Sequence, residues 1–206
     1  MGEAKRRKQA DSGTEARILQ AAEAVSRYMQ ACGVNQRGRD CEAHAKLLQT
    51  LLEGEGIPSR VVAGVAAWRV GLEDGAVPAH GFGGFGPGSF AGHFWVEAGL
   101  FIADATSWQW PLKLRAAHEH DGIPARVEWP REALVLRRSR IRTFEEVRDG
   151  YTFACHYQER PEFAPYLERV LAEPLDPEDV RQAQAVYRHP RALILGPANL
   201  QTEADQ

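Results

Sequence analysis

The run "DCEAHAKLLQTLLEGEGIPSRVVAGVAAWRV", Asp40 to Val70, restricts this chain of 206 residues to a narrow set of folds. Cys41, Ala45, Leu48 and Leu52 are spaced by four, three and four residues, so they form one apolar stripe of a helix. Gly54, Gly56 and Pro58 end that helix, since glycine supplies a left-handed exit and proline cannot continue it. Within a few residues "SRVVAGVAAWRV" begins, an apolar run that reads as a buried strand. Asp40 is the expected N-cap, which places a cysteine thiol at the electropositive end of the helix.

A second strand pair follows in "GHFWVEAGLFIADATSWQW". With a turn centred on Ala98 and Gly99, cross-strand partners have numbers that sum to 197. His93 then faces Asp104 (93 + 104 = 197), with Cβ atoms ~5 Å apart. On that face Trp95 meets Ile102, and on the other Phe94 and Val96 meet Ala103 and Phe101. Both faces are apolar, so the hairpin belongs inside a larger sheet. A four-residue loop is favoured, because Ala98 suits the primed two-residue turn poorly.

These three residues define a chemistry. A free thiol, with a pKa of ~8.5, is mostly protonated and a weak nucleophile at neutral pH. The helix start and an imidazolium at His93 both favour the thiolate, and Asp104 orients the ring and stabilises its charged form. The thiolate attacks a carbonyl carbon, His93 protonates the leaving group, and water or an amine resolves the thioester. The backbone N–H of Cys41 is one oxyanion donor, and Asn35 or Gln36 is the candidate for a second. Trp68, Phe90, Trp95 and Trp108 are the expected substrate contacts or site walls.

The order of a cysteine at a helix start, a strand, then histidine and aspartate on consecutive strands resembles the transglutaminase-like superfamily. The residues that carry the resemblance are "GRDCEAHAKLLQTLLEGEGIPSRVVAG", "GHFWVE" and "FIADATSW", with 52 residues from Cys41 to His93 (93 − 41) and 11 from His93 to Asp104 (104 − 93). It covers residues 35 to 110. The resemblance implies a papain-like α+β fold, with the cysteine-bearing helix packed on an antiparallel sheet, and a Cys-His-Asp triad at Cys41, His93 and Asp104. That superfamily spans protein crosslinking, peptide and amide hydrolysis and deglycosylation, and is similar in design to the arylamine N-acetyltransferases. The expected activity is therefore cleavage or transfer of an amide or acyl group on a peptide, protein or small amide. Hydrolysis is favoured over transfer to an amine because water is always available. A non-catalytic scaffold of the same fold is the competing class.

Composition excludes several other roles. A net charge of −3 argues against nucleic acid as a partner. No window approaches the ~18 consecutive apolar residues of a membrane span, and no apolar stretch follows the basic N-terminus to make a signal or anchor. Three cysteines without paired spacing argue against a disulfide framework and for a reducing, cytoplasmic setting. No cofactor or metal is called for, since "HEH" at His118 to His120 lacks a third ligand and reads as solvated loop. His44 reads as core, Cys32 as structural, and the neighbours Cys155 and His156 diverge too far to act as a pair. The glycines at 81, 83 and 86 mimic a dinucleotide-binding turn, but Pro87 and Gly88 stand where its helix would open. The stretch 71–91 reads instead as a mobile loop beside the site.

The expected organisation is a disordered basic arm over 1–12 and a core over 13–140, whose first helix is capped by Ser12 or Thr14 and runs to about Ala31, with Gly33 ending it. A helical extension of the same domain over 141–196 and a frayed tail over 197–206 follow. Within the extension, Thr143 with Glu146 forms a capping box and Asp176 with Pro177 opens another helix.

Overall fold

The computed structural model describes residues 2–32, 40–72, 79–82, 85–86, 89–90, 92–113, 115, 127–129, 132–196 and 199–201. A six-stranded antiparallel sheet and the helices set out below carry the fold of the described residues. The helices are α1 (Gly2–Ala31), α2 (Cys41–Gly54), α3 (Phe144–Asp149), α4 (Ala164–Ala172) and α5 (Pro177–Arg188). The strands are β1 (Arg60–Arg69), β2 (Ala79–Phe82), β3 (His93–Ala98), β4 (Phe101–Asp104), β5 (Leu134–Arg137) and β6 (Ala154–Glu159). Their order is β6-β1-β3-β4-β5, with β2 also paired to β1.

Strand β1 organises the sheet because it changes partner halfway along one edge. Arg60 to Gly64 pair with β3, and Ala66 to Arg69 pair with β2. On its other edge Gly64 to Arg69 pair with β6. A strand with neighbours on both sides and layers on both faces has no polar side to show, which is why "VVAGVAAW" does not alternate. One face of the sheet carries Val61, Ala63, Phe94, Val96, Phe101 and Ala103 and packs against α1, α2 and α4, with α5 packed on α1 and α2. The other face carries Val62, Trp68, Trp95, Ile102, Cys155 and Tyr157 and closes on Trp110 and Leu134. Helix α2 buries the expected stripe of Cys41, Ala45, Leu48 and Leu52 together with Leu47 and Leu51. Each of those four leucines contributes about 1.5–3 kcal/mol of burial as an upper figure.

Several expectations need correction. The helix starts at Gly2 and not at Ser12, so the basic arm expected over 1–12 is its first turns. Glu3 to Ala10 are all good helix formers, and their lack of an apolar stripe concealed that. The helix ends at Ala31, as expected, and Gly33 lies outside the described residues. Part of the glycine-rich stretch is strand: Ala79–Phe82 joins the main sheet, and Phe85–Gly86 pairs with Ser89–Phe90. The segment expected as a helical extension holds α3, α4 and α5, but also β6, which borders β1 inside the main sheet. Residues 199–201, expected in a frayed tail, pair with Leu193–Gly196. The two expected helix starts hold. Thr143 Oγ1 accepts from Glu146 N while Glu146 Oε2 accepts from Thr143 N, and Asp176 Oδ1 accepts from Glu178 N.

The hairpin register also differs. Val96 pairs with Ala103, Glu97 with Ile102 and Ala98 with Phe101, so partner numbers sum to 199. The loop is the two-residue pair Gly99–Leu100, with Gly99 at φ +57° in the first central position, as a type II′ turn demands. A change of two in the sum moves partners along the strand without turning either strand over. The expected division of the two faces therefore survives.

Among the described residues, Gly64, opposite His93 on β1, is a glycine whose missing side chain the sheet depends on. A Cβ there would lie 2.0 Å from the Gln158 carbonyl oxygen and 2.8 Å from Trp95 Cη2. Gly64→Ala should lower stability by about 1–3 kcal/mol, the usual cost of overpacking, and depress the thermal midpoint by several degrees. Gly54→Ala, with no atom within 4 Å of the added methyl, should leave the midpoint of a circular-dichroism melt essentially unchanged.

Candidate active site

Cys41, His93 and Asp104 come from three different elements and meet at the edge of the aromatic face. Cys41 is the first residue of α2 and is buried. His93 opens β3, and Asp104 closes β4. His93 Nε2 and Asp104 Oδ2 are 2.8 Å apart. The Cys41 side chain lies beside the His93 ring and helps hold its charge. The predicted pairing is thus made, but diagonally. The observed register carries Trp95 opposite Asp104, and His93 reaches the carboxylate from two residues along the same face.

Asp104 is saturated with hydrogen bonds. Its Oδ1 accepts from Thr106 N at 2.8 Å and Thr106 Oγ1 at 2.7 Å, and its Oδ2 accepts from Tyr157 Oη at 2.8 Å as well as from His93. Tyr157 Oη in turn accepts from Trp68 Nε1 at 2.8 Å. The imidazole sits in a box of rings, edge-on to Trp68 at 5.1 Å, stacked at 6.3 Å beside Trp95 and tilted at 6.2 Å from Tyr157.

Burial alone would discharge the imidazole, but the Asp104 carboxylate and the bonds to Asp104 and Cys41 outweigh it and raise the His93 pKa to about 9. His93 is therefore an imidazolium at neutral pH. Burial likewise opposes the Asp104 charge, and the His93 cation with the two Thr106 bonds overcomes it, holding the carboxyl well below its usual range. Lys113, half-buried behind the site with Nζ 6.0 Å from the Trp68 ring centre, has its pKa lowered by burial against the pull of Asp104, Cys41 and Asp40.

A second polar cluster flanks the cysteine. Asp40 occupies the N-cap position as expected, yet its side chain makes no capping bond. Both of its carboxylate oxygens accept from Gln109 Nε2, at 3.0 and 2.8 Å. His44, expected as core, is buried but has a carboxylate nearby. Its Nδ1 lies 3.8 Å from Asp40 Oδ2 and 2.8 Å from the Asp40 carbonyl oxygen, because Asp40 is one helical turn behind it. Trp108 Nε1 can only donate, and it donates to His44 Nε2 at 3.3 Å, so the ring proton sits on Nδ1. Burial drives the His44 pKa down. With its one lone pair taken, neutral His44 is a fixed core histidine and not the base.

The remaining assignments divide by burial. Trp68 and Trp95 are 1% exposed, so they wall the histidine from behind and offer no open surface to substrate. Trp108 is half-buried on the His44 side of the cysteine. Asn35, Gln36 and the side chain of Phe90 lie outside the described residues. Cys155 and His156 point to opposite sides of β6, the thiol buried with its pKa raised by burial and by Asp104, the ring bonded to the Arg142 carbonyl oxygen. The three cysteines are free thiols. Among the described residues no group of three or more His, Cys, Asp or Glu is placed to hold a metal, and "HEH" lies outside them.

Sequence reasoning missed Thr106, Gln109, Lys113 and Tyr157. Thr106 was legible, since Asp-x-Thr is the spacing at which a carboxylate accepts from the backbone two residues on. Tyr157 lies 53 residues from Asp104 on a strand that had not been recognised.

The raised His93 pKa fixes a pH dependence of stability. The folded-state value of about 9 exceeds the ordinary 6.5, so the folded state holds a proton that the unfolded chain releases first. The contribution is complete below pH 6.5 and is lost as the pH rises through about 9. Urea unfolding across pH 6 to 10 should show wild-type stability falling in that window, and His93→Gln should lack that fall.

A model of the transglutaminase-like superfamily matches residues 8–110. That is 103 residues (110 − 8 + 1), half of the 206, and it contains Cys41, His93 and Asp104. No curated protein matches the chain. A solved structure, described only as the crystal structure of a genomics target, is 14% identical, covers 88% of this chain and 84% of its own, and superposes with a TM-score of 0.47. With the family match spanning half its length, the chain belongs to the transglutaminase-like superfamily.

Proposed function

We propose that Cys41, His93 and Asp104 are the catalytic triad of a thiol enzyme that cleaves or transfers an amide or acyl group. Members of the superfamily typically carry out cysteine-dependent acyl and amide chemistry. The observation that supports the reading here is the His93 ring, bonded by Asp104 at Nε2 with the Cys41 side chain beside it. That arrangement leaves the histidine charged at neutral pH, ready to accompany a thiolate and then to give up its proton.

In the forward half, Cys41 Sγ bonds to the carbonyl carbon and the C=O π pair moves onto oxygen. The Cys41 backbone N–H, at the start of α2, is positioned to meet that oxyanion. His93 Nδ1 gives its proton to the leaving amine as the C–N bond breaks, and a thioester remains. Water then attacks the thioester, His93 accepts its proton, and the carboxylic acid departs as the thiolate reforms. An amine in place of water gives acyl transfer by the same steps. Asp104 keeps its four bonds throughout and takes no proton.

Hydrolysis of a peptide, protein or small amide is the favoured net reaction, because water is always present to compete. The three free thiols support a reducing, cytoplasmic setting. Among the described residues no helix is long and apolar enough to cross a membrane.

Alkylation by iodoacetamide tests the ion pair without a known substrate. Wild type should be labelled at Cys41 well below pH 7, and His93→Ala should react at Cys41 at least tenfold more slowly at pH 6. Cys41→Ser should abolish the labelling, located by peptide mass spectrometry. Identical pH profiles for wild type and His93→Ala would remove the basis for the enzyme and favour a scaffold.

A further inference from the structure

Tyr157 stands outside the matched family segment, on β6, yet its hydroxyl is bonded directly to the triad carboxylate. The chain of bonds has only one possible direction. The Trp68 indole N–H can donate and cannot accept, so Tyr157 Oη accepts from it at 2.8 Å and must spend its own proton on Asp104 Oδ2, also at 2.8 Å. Burial and the Asp104 charge keep the phenol protonated, its pKa well above the ordinary value. Tyr157 is thus a permanent donor.

We propose that Tyr157 is a positioning residue of the triad that sets the basicity of His93 by sharing the charge of Asp104. A carboxylate has about four lone-pair sites, and Asp104 fills them with His93, Tyr157 and two bonds from Thr106. Oδ2 divides its charge between the imidazolium and the phenol. Without the phenol, that oxygen would turn wholly to His93, bind its proton more tightly and slow its return to a leaving group. The indole above strengthens the effect, because accepting from Trp68 makes the Tyr157 O–H a better donor. The inference deepens the triad reading and depends on it only for what the His93 proton does.

The geometry carries a further requirement. Trp68 lies on β1 and Tyr157 on β6, paired along Gly64 to Arg69, so the relay exists only where those two strands are in register. The site therefore depends on a strand some 50 residues downstream of the hairpin that bears His93 and Asp104.

Tyr157→Phe keeps the ring and removes only the hydroxyl. The readout is an NMR titration of the His93 imidazole in histidine-labelled protein, assigned with His93→Gln. It reports on His93 whether or not Cys41 turns over any substrate, so failure here is separable from failure of the proposed reaction. The titratable groups around His93 are Cys41 on α2, Asp104 on β4 and Tyr157 on β6. Lys113, Asp40 and His44 lie one step further out, and all except Tyr157 are common to both proteins. In Tyr157→Phe the midpoint should rise by about half a unit to one unit. In an Asp104→Asn background the same substitution should leave the midpoint where Asp104→Asn alone puts it. Trp68→Phe, which spares the phenol but removes its donor, should give a smaller rise of the same sign and serves if Tyr157→Phe does not fold. A midpoint unchanged in Tyr157→Phe, or one that moves equally without the Asp104 carboxylate, would reduce Tyr157 to a packing residue and overturn the proposal.

Discussion

The buried pair of His93 and Asp104 is the interaction to which the rest of this structure is fitted. Two ionised groups out of water cost several kcal/mol each unless their geometry and remaining bonds compensate, and removing one partner typically costs 3–5 kcal/mol. The sheet meets that demand from four strands at once. β3 supplies the imidazole, β4 the carboxylate, β1 the indole of Trp68 and β6 the phenol of Tyr157. Gly64 belongs to the same arrangement, since without its bare Cα the Trp95 ring could not lie beside His93. An ion pair of this kind is weak evidence for stability. Its value here is a fixed tautomer and a fixed direction for one ring.

Pairs of like residues in the same few ångströms show how environment decides role. His44 and His93 are both buried, but His93 faces a carboxylate oxygen and a thiol while His44 bonds a carbonyl oxygen and an indole N–H. One ring is charged at neutral pH and the other is locked neutral. The thiols differ in their surroundings too. Cys41 begins a helix beside the His93 ring, whereas Cys155, near the start of β6, lies in an apolar layer and is held protonated. Residue type alone distinguishes none of these, and the packing partners do.

What the sequence made legible follows from how far apart the determinants lie. The stripe of α2, the break at Gly54 to Pro58 and the buried strand after it are local patterns, and each held. The meeting of His93 and Asp104 was legible because parity is more robust than register. Moving the turn from Ala98–Gly99 to Gly99–Leu100 changed every partner in the hairpin, yet His93 and Asp104 stayed on one face and still met. Non-local terms were not legible. Strand β6 lies beyond β5 and α3 in sequence, and only its pairing with β1 shows that Tyr157 reaches Asp104. The fate of Asp40 was hidden for the same reason, because Gln109, 69 residues away, takes the carboxylate that a local rule had given to the helix cap.

In the proposed mechanism that broken rule has a use. A capping aspartate normally turns its carboxylate onto the first N–H groups of its helix, worth ~1 kcal/mol. Here both Asp40 oxygens are turned to Gln109, and α2 begins without a side-chain cap at the position where Cys41 sits. A carboxylate folded over the helix start would cover the donors that meet a developing oxyanion and would repel a thiolate at Sγ. Drawing Asp40 aside keeps the positive end of the helix dipole open towards the thiol. The forgone cap is the kind of local loss expected where stability is exchanged for a working site. The bonds from Gln109 keep the displaced charge partnered in the core.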